Sequence, residues 1–188
     1  MIQVLTKEIV TSKVITRILG AALFVILTSL GAFVRIPLPF TPVPITLQTL
    51  FVLLSGLFLG ARVGAVSQLG YLCAGALGIP IFTGAGCGLS YLFGPTGGYL
   101  WSFLLVPFFI GTCLKFAKGT MQGIFGVLLI GDAIILISGS LWLKIFFGYN
   151  WNQLISVGVL PFIPGDLLKS AVALSLYVQV RNRVREIF

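Results

Sequence analysis

Residues 121–146, from Met121 to Phe146, read MQGIFGVLLIGDAIILISGSLWLKIF. Asp132 and Lys144 are the only charged side chains in this run. A helix of that length, rising 1.5 Å per residue, measures about 39 Å and outreaches the ~30 Å hydrocarbon layer of a bilayer. The whole chain has the same character. Hydrophobic residues make up 58% of its 188 residues and charged ones 9%, against about 25% charged in soluble domains. Mean hydropathy is +1.12. The expected fold class is an all-α integral membrane protein.

Working outward from that run, further apolar segments lie at 14–34, 46–59, 63–77, 96–116 and 164–180. Proline and glycine mark the breaks between them, by removing a donor or loosening the backbone. Six transmembrane helices with short loops then account for 1–188 as one membrane domain. Segments 46–59 and 63–77 are short, so they are expected to be covered by neighbours or to stop below the far interface. Segment 14–34 is too long for the core of a cleaved signal sequence, and no Ala-x-Ala site follows it.

The formal net charge of +8 invites a nucleic-acid reading. The basic residues argue against it, because they sit at the ends of apolar runs. In a six-span layout Lys7, Lys13, Arg17, Arg62, Lys115, Lys118, Arg181, Arg183 and Arg185 fall on one side. Arg35, Lys144 and Lys169 fall on the other side or within the span. The positive-inside bias then puts both termini in the cytoplasm. The terminal arginines anchor that topology, or touch acidic lipid headgroups or a cytoplasmic partner.

With four acidic residues and no histidine in the chain, each charge in a greasy segment needs a reason, because an unpaired ion there is expensive. The sharpest case is Pro161-Phe162-Ile163-Pro164-Gly165-Asp166-Leu167-Leu168-Lys169. Pro164 suits the first turn of a helix, where Asp166 meets the favourable end of the dipole. Lys169 and Ser170 follow three and four residues on, hence on the same face. The pair is either an internal ion pair capping the helix or the polar wall of a pocket for a small anionic molecule.

Two loops on the same side add to the pocket reading. Residues 35–45 carry Pro37, Pro39, Pro42 and Pro44, which makes a stiff, extended and mostly apolar connection. It is either a plain connector or a lid over a cavity. Thr83-Gly84-Ala85-Gly86-Cys87-Gly88 and Gly94-Pro95-Thr96-Gly97-Gly98-Tyr99 are glycine-dense, so backbone can approach a ligand or another helix. No Gly-Lys-Ser/Thr follows, which excludes a phosphate-binding loop. Gly60-x-x-x-Gly64 and Gly119-x-x-x-Gly123 predict tight helix contacts. Cys73, Cys87 and Cys113 lack metal-ligand spacing, and no metal or cofactor is expected.

Three motifs in order resemble the BioY family, the biotin-binding S components of energy-coupling-factor (ECF) vitamin transporters. They are Pro39-Phe40-Thr41-Pro42-Val43-Pro44-Ile45-Thr46-Leu47-Gln48-Thr49-Leu50, Gly94 to Tyr99, and Val159 to Lys169. The resemblance covers nearly the whole chain. It implies a multi-pass protein of the prokaryotic cell membrane that binds biotin near the outer face for uptake. It also implies partners, namely a transmembrane coupling subunit and two ATPase subunits, although some members are thought to work alone. By position, Asp166 and Lys169 match the family's ligand-binding acid and base, and the first loop (Phe40, Thr41, Pro42, Val43) its gating loop. Thr83, Gly84 and Gly86 match its ligand-facing glycine segment. Gln48, Tyr91 and Tyr99 are candidate polar or stacking walls, though a tyrosine at a span end is equally a headgroup anchor.

Two features depart from the family pattern. S components commonly carry Ala-x-x-x-Ala on the first span for contact with the coupling subunit. Here Val25 and Ile26 stand four places after Ala21 and Ala22, so Gly20, Ala21 and Ala22 are what remains of that small-residue surface. The other departure is Asp132, which must be protonated, paired with Lys169 or Lys144, or facing a cavity. Gly131-Asp132 and Gly165-Asp166 also resemble the paired aspartates of intramembrane aspartic proteases. That alternative is weak, because Leu129 and Ile163 replace the first glycine of the motif and the two acids sit at different depths. No nucleotide-binding motif is present, so transport energy must come from partners or a gradient.

Overall fold

The computed structural model describes the backbone of residues 2–117 and 119–187, and the side chains of residues 13–117 and 119–181. Helix α1 spans Ile2–Phe33. A small antiparallel clasp follows, β1 (Arg35–Ile36) against β2 (Ile45–Thr46), in the register Arg35↔Thr46 and Ile36↔Ile45. Then come α2 (Gln48–Ala76), α3 (Leu89–Leu92), α4 (Gly97–Cys113), a 3-10 turn (Leu114–Ala117), α5 (Met121–Phe147), α6 (Trp151–Gly158) and α7 (Ile163–Ile187). Lys13–Phe33, Gln48–Ala76, Gly97–Ala117 and Met121–Phe147 are long and apolar enough to cross a membrane. Trp151–Gly158 and Ile163–Arg181, bent by 45°, form a fifth candidate if taken together.

The six expected helices therefore appear as seven helical segments plus a clasp. The physical reasons are local. Helix α2 holds both of the expected segments 46–59 and 63–77, and it does not run straight. A straight helix would put Gln48 and Tyr71 about 34 Å apart, yet Gln48 Nε2 donates to Tyr71 Oη at 2.5 Å. The chain folds back at Gly60, whose φ of +75° and ψ of −177° belong to a region essentially restricted to glycine. The short helices α3 and α6 fall in expected loops. Helix α6 starts with a capping box, in which Asn150 Oδ1 accepts from Gln153 N and Gln153 Oε1 accepts from Asn150 N.

Helix α1 packs on α2, α2 on α4 and α7, α4 on α5, and α5 on α7. Close approach depends on glycine at the seams. A Cβ on Gly111 would overlap Ala61, and one on Gly98 would overlap Trp142. In each small-residue pair read from the sequence, a Cβ would meet neighbours only at the second glycine. Gly64 and Gly123 lie against Ser55 O and Ala117 O, whereas Gly60 and Gly119 are open, positive-φ turns.

The basic residues segregate along the bundle. The Arg181 guanidinium donates to Gly119 O at 2.9 Å, which joins the end of α7 to the start of α5. Gly111 packs at the Gly60 turn, so Arg62 and Lys115 belong to this end. The opposite end of α1, at Gly31, meets Gln48 and Phe51, which leaves Lys13 and Arg17 at the Arg181 end. Arg35, Lys144 and Lys169 lie in the other half, with Arg35 against Gly84. The side chains of Lys7, Lys118, Arg183 and Arg185 fall outside the described residues.

Candidate functional site

The half of the bundle away from Arg181 encloses a cleft between α2, α4, α5, α7 and the 35–46 segment. Its polar centre is the pair read from the sequence. Lys169 Nζ donates to Asp166 Oδ1 at 3.0 Å and to Thr49 Oγ1 at 2.8 Å, and both charged side chains are about 10% exposed. An ammonium has three N–H groups, so one is left to give. Asp166 Oδ2 accepts from no described residue. An unspent donor thus stands beside an unspent acceptor at the wall of the cleft.

A second polar group faces this pair. Gln48 Oε1 accepts from Thr83 Oγ1 at 2.9 Å and from Thr46 Oγ1 at 3.2 Å, while its amide donates to Tyr71 Oη. Tyr71 in turn donates to Ile81 O at 3.3 Å. Gln48 is 3% exposed, and these bonds orient it rigidly. The remaining walls are apolar and aromatic, with Tyr99, Leu100 and Phe103 from α4, Ile135 and Leu136 from α5, and Phe162. Tyr99 Oη donates to Gly158 O at 3.0 Å, and a Cβ on Gly139 would overlap its ring. That tyrosine is therefore held by neighbours on two elements rather than anchored in headgroups.

The residues expected at the site divide as follows. Asp166, Lys169, Gln48, Thr83, Tyr91 and Tyr99 all line the cleft. Gly84 and Gly86 do not. They belong to a tight turn in which Phe82 pairs with Gly86 and φ is positive at Gly84 and at Ala85, the pattern of a primed hairpin turn. Of the 35–45 segment, Val43 and Pro44 line the cleft, Thr41 is buried, and Phe40 is exposed. On α1, Gly20 and Ala21 are half-buried while Ala22 is exposed, among the exposed Ile18, Leu19, Leu23 and Ile26.

Ser170, expected on the same face as the pair, is not among the residues that line the cleft. Its hydroxyl donates to Asp132 Oδ2 at 2.5 Å, one turn deeper along α7. Asp132 forms no ion pair with Lys169 or Lys144 among the described residues: Lys169 Nζ is bonded to Asp166 and Thr49, and Lys144 Nζ donates to Tyr149 O at 3.1 Å and lies over the Trp151 ring. The two aspartates hold separate partners, and no shared-proton dyad exists among the described residues. Sequence reasoning missed Thr49, Phe103, Ile135 and Leu136. Thr49 stood next to Gln48 in a quoted motif and was findable. The other three lie in apolar runs that carry no distinguishing signal.

Beside the cleft lies a broader vestibule lined by Pro42, Ala85, Gly86, Cys87, Ser90 and Gly94 among others, and it shares Tyr91 and Thr96 with the cleft. The cleft itself is narrow, about 50 Å³, against about 10–15 Å³ for one water. That is room for a few water-sized molecules. A ligand with a ring system needs the 35–46 segment or the wall side chains to move.

Comparison with known proteins places these features in context. A Pyrococcus horikoshii protein named "Probable biotin transporter BioY" is 43% identical over 152 residues, 81% of this chain and 88% of its own length. The "Biotin transporter BioY" of Thermotoga maritima is 36% identical over 170 residues, 88% and 96% of the two chains. The crystal structure of an S-component for biotin from an ECF-type ABC transporter superposes with a TM-score of 0.83 at 30% identity, covering 89% of this chain and 92% of that one. Residues 5–186 match the BioY family as a whole. The chain belongs to the BioY family.

Proposed function

We propose that this chain is the biotin-binding membrane subunit of a biotin uptake system, and that the cleft at Asp166 and Lys169 is its capture site. The observation that carries the reading is the adjacent unspent acceptor and donor on that pair. A ureido group presents N–H donors beside a carbonyl acceptor, which is the complement of Asp166 Oδ2 and the free Lys169 N–H. The apolar ring and chain of the ligand find their match in Tyr99, Phe103, Phe162 and Ile135. Segment 35–46, through Val43 and Pro44, acts as the lid that closes over the bound vitamin.

The chain crosses the bilayer six times, with both termini on the cytoplasmic side of a prokaryotic plasma membrane. The fold-back at Gly60 supports the count, since it divides one apolar stretch into two arms that return on each other. Lys13, Arg17, Arg62, Lys115 and Arg181 at one end support the orientation. The partners are a transmembrane coupling subunit and two ATPase subunits, as for an ECF-type S component. The small-residue patch at Gly20, Ala21 and Ala22, among exposed apolar side chains of α1, supports docking there. The test is isothermal titration of the purified chain with biotin, together with mass spectrometry of any small molecule that co-purifies. Saturable binding that Asp166→Asn and Lys169→Ala each weaken by about tenfold or more supports the assignment. Unchanged affinity in both variants removes it.

A further inference from the structure

The charge pattern around the cleft says which end of the ligand is read. Asp166 lies 3.0 Å from Lys169, so a carboxylate brought to that ammonium would also face a second carboxylate. A ureido group meets no such repulsion and uses both partners. The carboxyl end of the ligand must then point away from Asp166, toward the Tyr91–Thr96 side, where the cleft gives onto the vestibule. This step rests on the biotin reading given above.

The vestibule is built to receive something uncharged. It is roomier than the cleft, about 570 Å³ against about 50 Å³, and more open to the outside. Its lining is Ser90, Tyr91, Thr96 and Cys87 with two prolines, two glycines and an alanine, and no charged side chain. Arg35 lies against Gly84 and is not part of the wall. Tyr91 forms a fixed doorpost between the two spaces. Its hydroxyl donates to Thr83 O at 2.9 Å, its ring stacks on Phe82 at 5.1 Å, and a Cβ on Gly86 would overlap that ring.

We infer that the vestibule is a second subsite, which accepts neutral extensions on the ligand's carboxyl group, so that the protein binds biotin amides as well as free biotin. The head group is recognised at Asp166 and Lys169, and the negative charge of the tail is not. No bond is made or broken in this step.

The experiment is titration of the full-length purified chain with biotin, biotin carboxamide and an N-alkyl biotinamide. Carboxamide and alkyl amide are expected within about threefold of biotin, less than the tenfold that one lost charged contact produces. Ser90→Trp, at an exposed position that lines only the vestibule, is expected to weaken the alkyl amide about tenfold or more and leave biotin within about threefold. In the wild-type chain, alkylation of Cys87 by a maleimide is slowed by bound alkyl amide and not by biotin. Binding of biotin with rejection of both amides overturns the inference and assigns the tail charge to a cation such as Arg35. Equal losses for biotin and the alkyl amide in Ser90→Trp, with Cys87 indifferent to both ligands, overturn it too. Failure to bind any of the three overturns the biotin reading itself.

Discussion

Replacing Lys169 by methionine separates binding from architecture, because the pair braces the helix and is the proposed capture site. The substitution keeps the volume and removes the charge. Asp166, 7% exposed, then loses its cation, and Thr49 loses its donor. Removing one partner of a buried pair costs about 3–5 kcal/mol, most of it from the charge left behind. Binding should fall as well. A hydrogen bond to a charged group nets about 1.5–3 kcal/mol, which is about 10- to 150-fold in Kd. The double variant Asp166→Asn/Lys169→Met removes both charges, and replacing a buried pair by neutral groups of similar size is often close to neutral. Its heat-induced unfolding in a fixed detergent is expected to return close to wild type. Its affinity for biotin, read by titration calorimetry, is expected to stay at least about tenfold down. If the double variant recovers affinity along with stability, the pair is a brace and the capture-site assignment fails.

Glycine substitutions give opposite signs for stated reasons. Gly60→Ala meets no atom within 4 Å but must hold φ +75°, so unfolding should come earlier by the equivalent of about 1–3 kcal/mol. Gly126→Ala, also in open space but inside helix α5, should stabilise by up to about 1 kcal/mol in the same unfolding assay. Gly139→Ala presses on a Tyr99 ring that is tied to Gly158. It should cost about 1–3 kcal/mol as overpacking and weaken biotin in a titration, whereas relaxation without loss of affinity would release Tyr99 from the site. Ser170→Ala leaves the Asp132 carboxyl with no hydrogen-bond partner among the described residues. It should destabilise by about 1–3 kcal/mol, which thermal unfolding of the variant against wild type will read.

Much of the site was legible because its polar members are conspicuous in hydrocarbon. Asp166, Lys169 and Gln48 stand out wherever ions and amides are scarce, and helix spacing alone puts the first two together. The same spacing does not say what Ser170 bonds. An offset of four residues shares a face with Asp166, but the hydroxyl is captured by Asp132 on a neighbouring helix that no local pattern names. Gly84 and Gly86 were legible as special backbone, yet the reason is a turn with two positive φ angles rather than contact with the cleft. The Asn150–Gln153 capping box was a readable start signal for α6, hidden by the habit of treating the stretch between two spans as loop.

Sequence alone determined the solvent of this protein, the apolar segments that live in it, the break between segments 46–59 and 63–77, and the acid and base that stand three residues apart on one helix. Each follows from the cost of an unpaired charge or a strained dihedral, which is local. Only the tertiary structure decided which apolar faces line the cleft, that Asp132 pairs with Ser170, and that Tyr91 divides cleft from vestibule. Lipid tails are as apolar as leucine, so hydropathy cannot distinguish Phe103 or Ile135, which line the cleft, from Leu105 or Ile137, which are exposed on the outside of the bundle.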